Sequence, residues 1–149
     1  YDHLDLDQWI EENKNITIEA IFKNEGEQFF RELETKYLKK IVKIKKSTVI
    51  SLGGGAVCFN DNLNVVKKNG LLIYIKLSPL VLTNRIIKSK IKRPLLQNLN
   101  RKELLTEIKK LLLKRKFFYE QAHLIINDLN LNTINVAQLM QESFTTNKS

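Results

Sequence analysis

Two apolar runs, Thr48–Leu52 (TVISL) and Leu71–Leu77 (LLIYIKL), each lie between segments of helical period. That alternation constrains the fold more than any other feature of the chain. Near-continuous apolar runs suit parallel strands covered on both faces. Strands that alternate with helices build an α/β fold, here a three-layer α/β/α arrangement around a parallel sheet. Tyr1–Leu6 reads as a third, weaker strand, with Leu4 and Leu6 on one side and Asp5 and Asp7 on the other. Leu124–Ile126 is a short fourth.

Helices fill the intervals. Asp7–Asn13 starts one and Thr17–Asn24 forms a second. Glu25–Ile44 is long, with Phe30, Leu33, Tyr37 and Ile41 at helical spacing. Asn62–Lys68 runs into Gly70, a helix stop. Pro79–Ile87 follows Ser78, a good cap with proline in first position. Arg101–His123 and Thr133–Phe144 complete the set. Lys88–Asn100 is polar, basic and broken by Pro94, and reads as a mobile loop.

At 149 residues the chain is expected to form one domain, 1–149, and at 43% hydrophobic it can bury a core. No apolar run is long enough to span a membrane, and the first residues carry no secretory pattern. The single Cys58 cannot form an internal disulfide, which fits a reducing, cytoplasmic setting. It reads as a small hydrophobe. Charge is unevenly spread. Residues 1–34 hold ten acids and three bases, a net of −7, and the rest holds 22 bases and six acids, a net of +16. A basic body calls for an anionic partner, either nucleic acid or a phosphorylated small molecule, unless the lysines are only a solvated face.

Five features carry candidate chemistry. Gly53-Gly54-Gly55 directly follows a strand, where open α/β sheets bind ligands against bare backbone; it is otherwise a flexible turn. Asp5 and Asp7, two apart on a strand, share a face and suit magnesium, a substrate hydroxyl or general-base work; alternatively Asp7 caps the following helix. Arg115 falls on the stripe Leu104, Ile108, Leu111, Arg115, Phe118, Ala122, which should face the core. A guanidinium there needs an anion unless it snorkels out. Arg31 and Glu34, three apart on a helix, can pair so that the acid holds the guanidinium for an anionic ligand, or form an ordinary surface ion pair. Arg93, before Pro94, is an arginine that a closing lid would bring to a transferring phosphoryl group, or part of a plain surface loop.

In order along the chain, HLDLDQWIEE, ITIEAIFKNEGEQFFRELE, VISLGGGAV, GLLIYIKLS, KRPLL and KRKFFYEQA resemble successive motifs of the shikimate kinases. The resemblance runs from Asp2 to about Met140. It implies a P-loop, nucleoside-monophosphate-kinase-like fold and ATP- and magnesium-dependent phosphorylation of shikimate to shikimate 3-phosphate, within aromatic amino acid biosynthesis. It also implies roles. Asp7 would bind the shikimate hydroxyls and help deprotonate the attacking one. Arg31 and Arg115 would grip the substrate carboxylate, with Glu34 orienting Arg31. Gly53, Gly54 and Gly55 would contact shikimate through backbone. Phe22 and Phe30 would wall the ring pocket, and Asp5 would lie near the magnesium shell. Arg93 would be the lid arginine of loop 88–100, and Arg85 would lie against adenine. The stretch Asn130-Leu131-Asn132 departs from the family's basic, proline-containing adenine loop.

No G-x-x-x-x-G-K-[ST] motif occurs in the sequence, and Gly53–Gly55 runs on into Ala56-Val57. The family places that loop, its central strand and its helix before the position of Tyr1. The resemblance therefore implies a further segment of about 25–35 residues, the size of a strand, loop and helix. Without its central strand, the strands at Thr48–Leu52 and Leu71–Leu77 would become apolar edges. Three readings follow: a shikimate kinase working as a monomer on ATP and shikimate; a related kinase such as a gluconate kinase, or a homologue without ATP binding; and a nucleic-acid binder. The last is disfavoured because Phe22, Phe30 and Tyr37 sit at core spacing rather than on a stacking platform. His3 and His123 carry no motif.

Overall fold

In a computed structural model, residues 2–89, 94–96 and 98–127 are described. The chain divides into two compact units, Tyr1–Gly70 with Ser89–Asn100, and Leu71–Lys88 with Arg101–Ser149.

The first unit opens with β1 (Asp2–Asp5), which pairs in parallel with β2 (Thr48–Ser51) in the register Asp2 to Thr48 and Asp5 to Ser51. Between them run α1 (Leu6–Lys14) and α2 (Ile18–Ile41). Asp5 ends the strand and caps α1, its Oδ1 accepting from the Gln8 amide at 3.0 Å. Thr17 caps α2 in the same way through Ala20. Leu6 and Ile10 of α1 and Ile21, Phe30, Leu33, Tyr37, Leu38 and Ile41 of α2 form the core, closed by Ala56. After β2 come the glycines, a 3₁₀ turn (Ala56–Cys58) and α3 (Asn62–Asn69).

The second unit repeats the pattern on a smaller scale. β3 (Ile73–Lys76) pairs in parallel with β4 (Leu124–Asn127). The chain between them forms α4 (Pro79–Lys88) and α5 (Arg101–Tyr119), which pack together. Ser78 caps α4 by accepting from the Val81 amide. Arg101 reaches Asn84 at 3.1 Å. Leu77, Leu104, Ile108 and Ile126 are buried.

The predicted order of elements is the observed one, with two differences of substance. The two apolar strands are not covered on both faces. β2 and β3 each have one paired neighbour among the described residues, and Val49 is 43% and Ile75 50% exposed. Each strand is thus the apolar edge expected of it when no central strand lies between them. The second difference concerns where the helices after residue 17 divide and end. The two predicted helices are both present within Ile18–Ile41, meeting at a kink at Gly26 (φ 83°, ψ 173°) rather than between Asn24 and Glu25, and the second ends at Ile41 rather than Ile44. The predicted helix Thr133–Phe144 and the stretch Asn130–Asn132 lie outside the described residues, as does Arg93. Of loop 88–100, Pro94–Leu96 form a single 3₁₀ turn. No helix among the described residues is long and apolar enough to cross a membrane.

Gly26 occupies a region of backbone space open essentially to glycine alone. A Cβ there would meet nothing within 4 Å, so crowding plays no part. Gly26→Ala is therefore expected to cost about 1–3 kcal/mol through backbone strain. Urea titration measures it, and a variant as stable as the parent would show that the break in α2 is not required.

Candidate functional site

The site begins with the break in α2. Glu27 follows Gly26 and so stands in the first turn of the helical segment that carries Phe30, Arg31 and Glu34. Helical spacing then places Glu27, Arg31 and Glu34 together. Arg31 Nη1 donates to Glu34 Oε2 at 2.9 Å. Its Nη2 and Nε donate to Glu27 Oε1 at 3.0 and 3.3 Å. The Arg31 and Glu34 side chains are 8% and 1% exposed, and that of Glu27 is 42% exposed. A buried guanidinium cannot shed its charge, so the buried carboxylate is what makes its position tolerable.

The glycine turn closes on this pair. A Cβ built at Gly55 would lie 2.5 Å from Arg31 Nη2 and 2.6 Å from Nη1, so the guanidinium rests directly on bare backbone. A Cβ at Gly53 would lie 3.3 Å from Asp7 Oδ1 and 3.5 Å from Glu34 Oε1. Asp7 and Glu34 therefore meet at Gly53, and Arg31 at Gly55, with Gly54 between the two glycines. Phe22 and Phe30 stack across the break in α2 with centroids 4.8 Å apart. Arg31 Cζ lies 5.2 Å from the Phe30 ring and 4.4 Å from the Phe59 ring.

Asp5 and Asp7 do not share a strand face, because β1 ends at Asp5 and α1 begins at Leu6. The capping role falls to Asp5, and Asp7 reaches the glycine turn. Asp5 is half-buried with one oxygen committed to the cap, so it retains lone pairs for a second partner. No cluster of three or more His, Cys, Asp or Glu stands together among the described residues. In the second unit Arg115 is half-buried on the predicted side of α5, in line with the buried Leu104 and Ile108, and Arg85 is exposed in the last turn of α4. Sequence reasoning missed two partners of Arg31. Glu27 was detectable from its i, i+4 spacing. Phe59, 28 residues away, leaves no periodic signal.

A family model for shikimate kinase matches residues 1–145. The chain belongs to the shikimate kinase family. The "Shikimate kinase" of Flavobacterium psychrophilum is 39% identical over 128 residues, which is 84% of this chain and 74% of that relative. That of Bacteroides fragilis is 40% identical over 122 residues, 82% of this chain and 68% of the relative. Among solved structures, the shikimate kinase of Bacteroides thetaiotaomicron covers 99% of this chain and 84% of its own, with a TM-score of 0.83 at 34% identity. The shikimate kinase of Acinetobacter baumannii in complex with shikimate gives a TM-score of 0.81 at 32% identity, covering 99% of this chain and 80% of its own. The fold is thus the α/β fold of the shikimate kinases, and the family is one of ATP-using phosphotransferases.

Within this kinase family member, the two acids on Arg31 should differ in weight. Glu34→Ala removes a buried partner and is expected to cost about 3 kcal/mol. Glu27→Ala removes an exposed one and is expected to cost about 1 kcal/mol or less. Denaturant titration of both variants measures the difference; equal costs would show that burial of Glu34 does not govern the pair.

Proposed function

We propose that this chain carries the shikimate-binding body of a shikimate kinase, which transfers the γ-phosphoryl group of ATP to the 3-hydroxyl of shikimate. The observation that supports this acceptor site is the meeting of Asp7 and the Arg31–Glu34 pair at the Gly53–Gly55 turn. The family supports the reaction, and a gluconate-kinase-like activity is not favoured.

The roles follow from donor and acceptor chemistry. An arginine has five N–H groups, and the bonds to Glu27 and Glu34 engage three of Arg31's, so two remain for the substrate carboxylate. Arg115 supplies the second guanidinium. Gly53, Gly54 and Gly55 let the ring lie against backbone, and Phe22 and Phe30 wall its apolar face. Asp7 accepts hydrogen bonds from the hydroxyls and takes the proton of the attacking one. Asp5, with spare acceptor capacity, would hold magnesium through its water shell. That ion keeps most of its waters, binds through few protein carboxylates, and would neutralise charge on the transferring phosphates. Arg93 neutralises the same charge from the 88–100 loop, and Arg85 lies against adenine. Catalysis of this kind is positioning and charge neutralisation, with little covalent work for the protein.

The two compact units are read as parts of one kinase domain, since the family match spans both. A cytoplasmic monomer fits the lone Cys58 and the soluble character of small-molecule phosphorylation.

The test is ATP-dependent formation of shikimate 3-phosphate by the full-length protein; a folded protein without turnover would overturn the reading. Asp7→Asn is expected to lower kcat by about 100-fold or more, with less effect on the KM for shikimate. Gly55→Ala pushes Arg31 aside and is expected to raise the KM for shikimate by about tenfold or more while leaving the KM for ATP near its starting value. Steady-state kinetics separates the two.

A further inference from the structure

The carboxylates of Glu27 and Glu34 bond to Arg31 through its N–H groups, which lie in the guanidinium plane. In-plane bonds resist sliding better than tilting. Resistance to tilting has to come from what packs on the plane, and three groups are close enough, Gly55, Phe59 and Phe30. Gly55 contributes bare backbone, and the Phe59 ring centre stands 4.4 Å from Arg31 Cζ. Phe59 is the nearer of the two rings on the guanidinium, Phe30 being at 5.2 Å.

Phe59 is itself held in register with Arg31. The next residue, Asn60, takes a left-handed backbone (φ 51°) and donates through Nδ2 to Thr35 Oγ1 at 2.7 Å. Thr35 Oγ1 in turn donates to the Arg31 carbonyl at 2.9 Å. Within the same turn, buried Asn62 donates to the Ala56 carbonyl at 2.8 Å, and Cys58 N–H donates to the Gly55 carbonyl at 2.9 Å. The result is a closed circuit. It runs from the Arg31 carbonyl through Thr35 and Asn60 to Phe59, and from the Phe59 ring back to the Arg31 guanidinium.

We propose that Phe59 is a positioning residue for acceptor binding, whose ring fixes the tilt of the Arg31 guanidinium and so aims its two remaining N–H groups at the substrate carboxylate. The Asn60–Thr35 link keeps the ring in place. This rests on the reading that Arg31 binds that carboxylate. An aromatic ring is needed because its negatively charged face attracts the guanidinium, which an aliphatic side chain of similar volume does not.

The test compares Phe59→Leu, Phe59→Tyr, Phe59→Trp and Asn60→Gly in the full-length kinase. Asn60→Gly keeps the left-handed backbone accessible and removes only the tether. Phe59→Leu is expected to raise the KM for shikimate about fivefold to twentyfold, with kcat and the KM for ATP within about twofold, the pattern of lost uniform binding. Phe59→Tyr and Phe59→Trp should restore most of the affinity, and Asn60→Gly should give a smaller rise. Independently of activity, the Arg31 Nε–H resonance should carry a ring-current shift whose Phe59 share Phe59→Leu removes and Phe59→Tyr keeps. Unchanged KM in Phe59→Leu, or failure of the aromatic replacements to restore it, overturns the proposal. Arg31→Ala serves as the control for the underlying reading. If it leaves shikimate affinity intact, the carboxylate role of Arg31 falls and this inference with it. If it abolishes affinity while Phe59→Leu has no effect, only the present inference falls.

Discussion

Burying Arg31 beside Glu34 is the constraint around which the first unit is arranged. Removing two opposite charges from water costs several kcal/mol per ion, and only close pairing with further hydrogen bonds offsets it. The unit supplies these through helical spacing, which sets Glu27 and Glu34 on the same face as Arg31. It then seals the pair with a turn that has no side chain at Gly55, because any Cβ would occupy the guanidinium's place. A pair of this kind is weak evidence for stability. On the proposed reading it is a cation held for an anionic ligand, with two N–H groups still to donate.

The opposite wall depends on a division of labour between two aspartates. A helix start needs an acceptor for its free amides. Asp5 fills that need at Gln8, and Asp7 lies within the first turn of α1 with its carboxylate beside Gly53. Had the cap fallen to Asp7, the glycine turn would face no acid from α1. One hydrogen bond at the helix terminus thereby fixes which aspartate caps α1 and which one reaches the glycine turn.

Much of this was legible in the sequence. Apolar runs and helical stripes placed nine elements, and Arg115 lies on the inward side of α5 as its 4-3-4-3 spacing predicts. Gly53–Gly55, Arg31 and Glu34 stood out because bare backbone and an i, i+3 ion pair leave local signatures. Three things were not legible. The shared face of Asp5 and Asp7 assumed a strand that continues past residue 5, whereas helix nucleation ends it. Coverage of the strands depends on neighbours that no local pattern reports. The approach of Phe59 to Arg31 arises from a turn at Asn60 and a tether to Thr35, contacts between residues 25 to 28 apart that no periodicity encodes.

The uneven charge acquires a meaning from this geometry. Residues 1–34 carry a formal net of −7, and Asp7 and Glu34 at the glycine turn, with Glu27 bonded to Arg31, outnumber Arg31. Such a wall discriminates. On the proposed reading, a bare polyanion would meet repulsion from two sides, while a ligand with one carboxylate and several hydroxyls would pair its acid with Arg31 and donate hydrogen bonds from its hydroxyls to Asp7. The rest of the chain carries a formal net of +16, a sign that favours anionic ligands. On the proposed reading the two signs suit the two substrates, an acidic wall for a lightly charged polyol acid and a basic remainder for the phosphates of ATP.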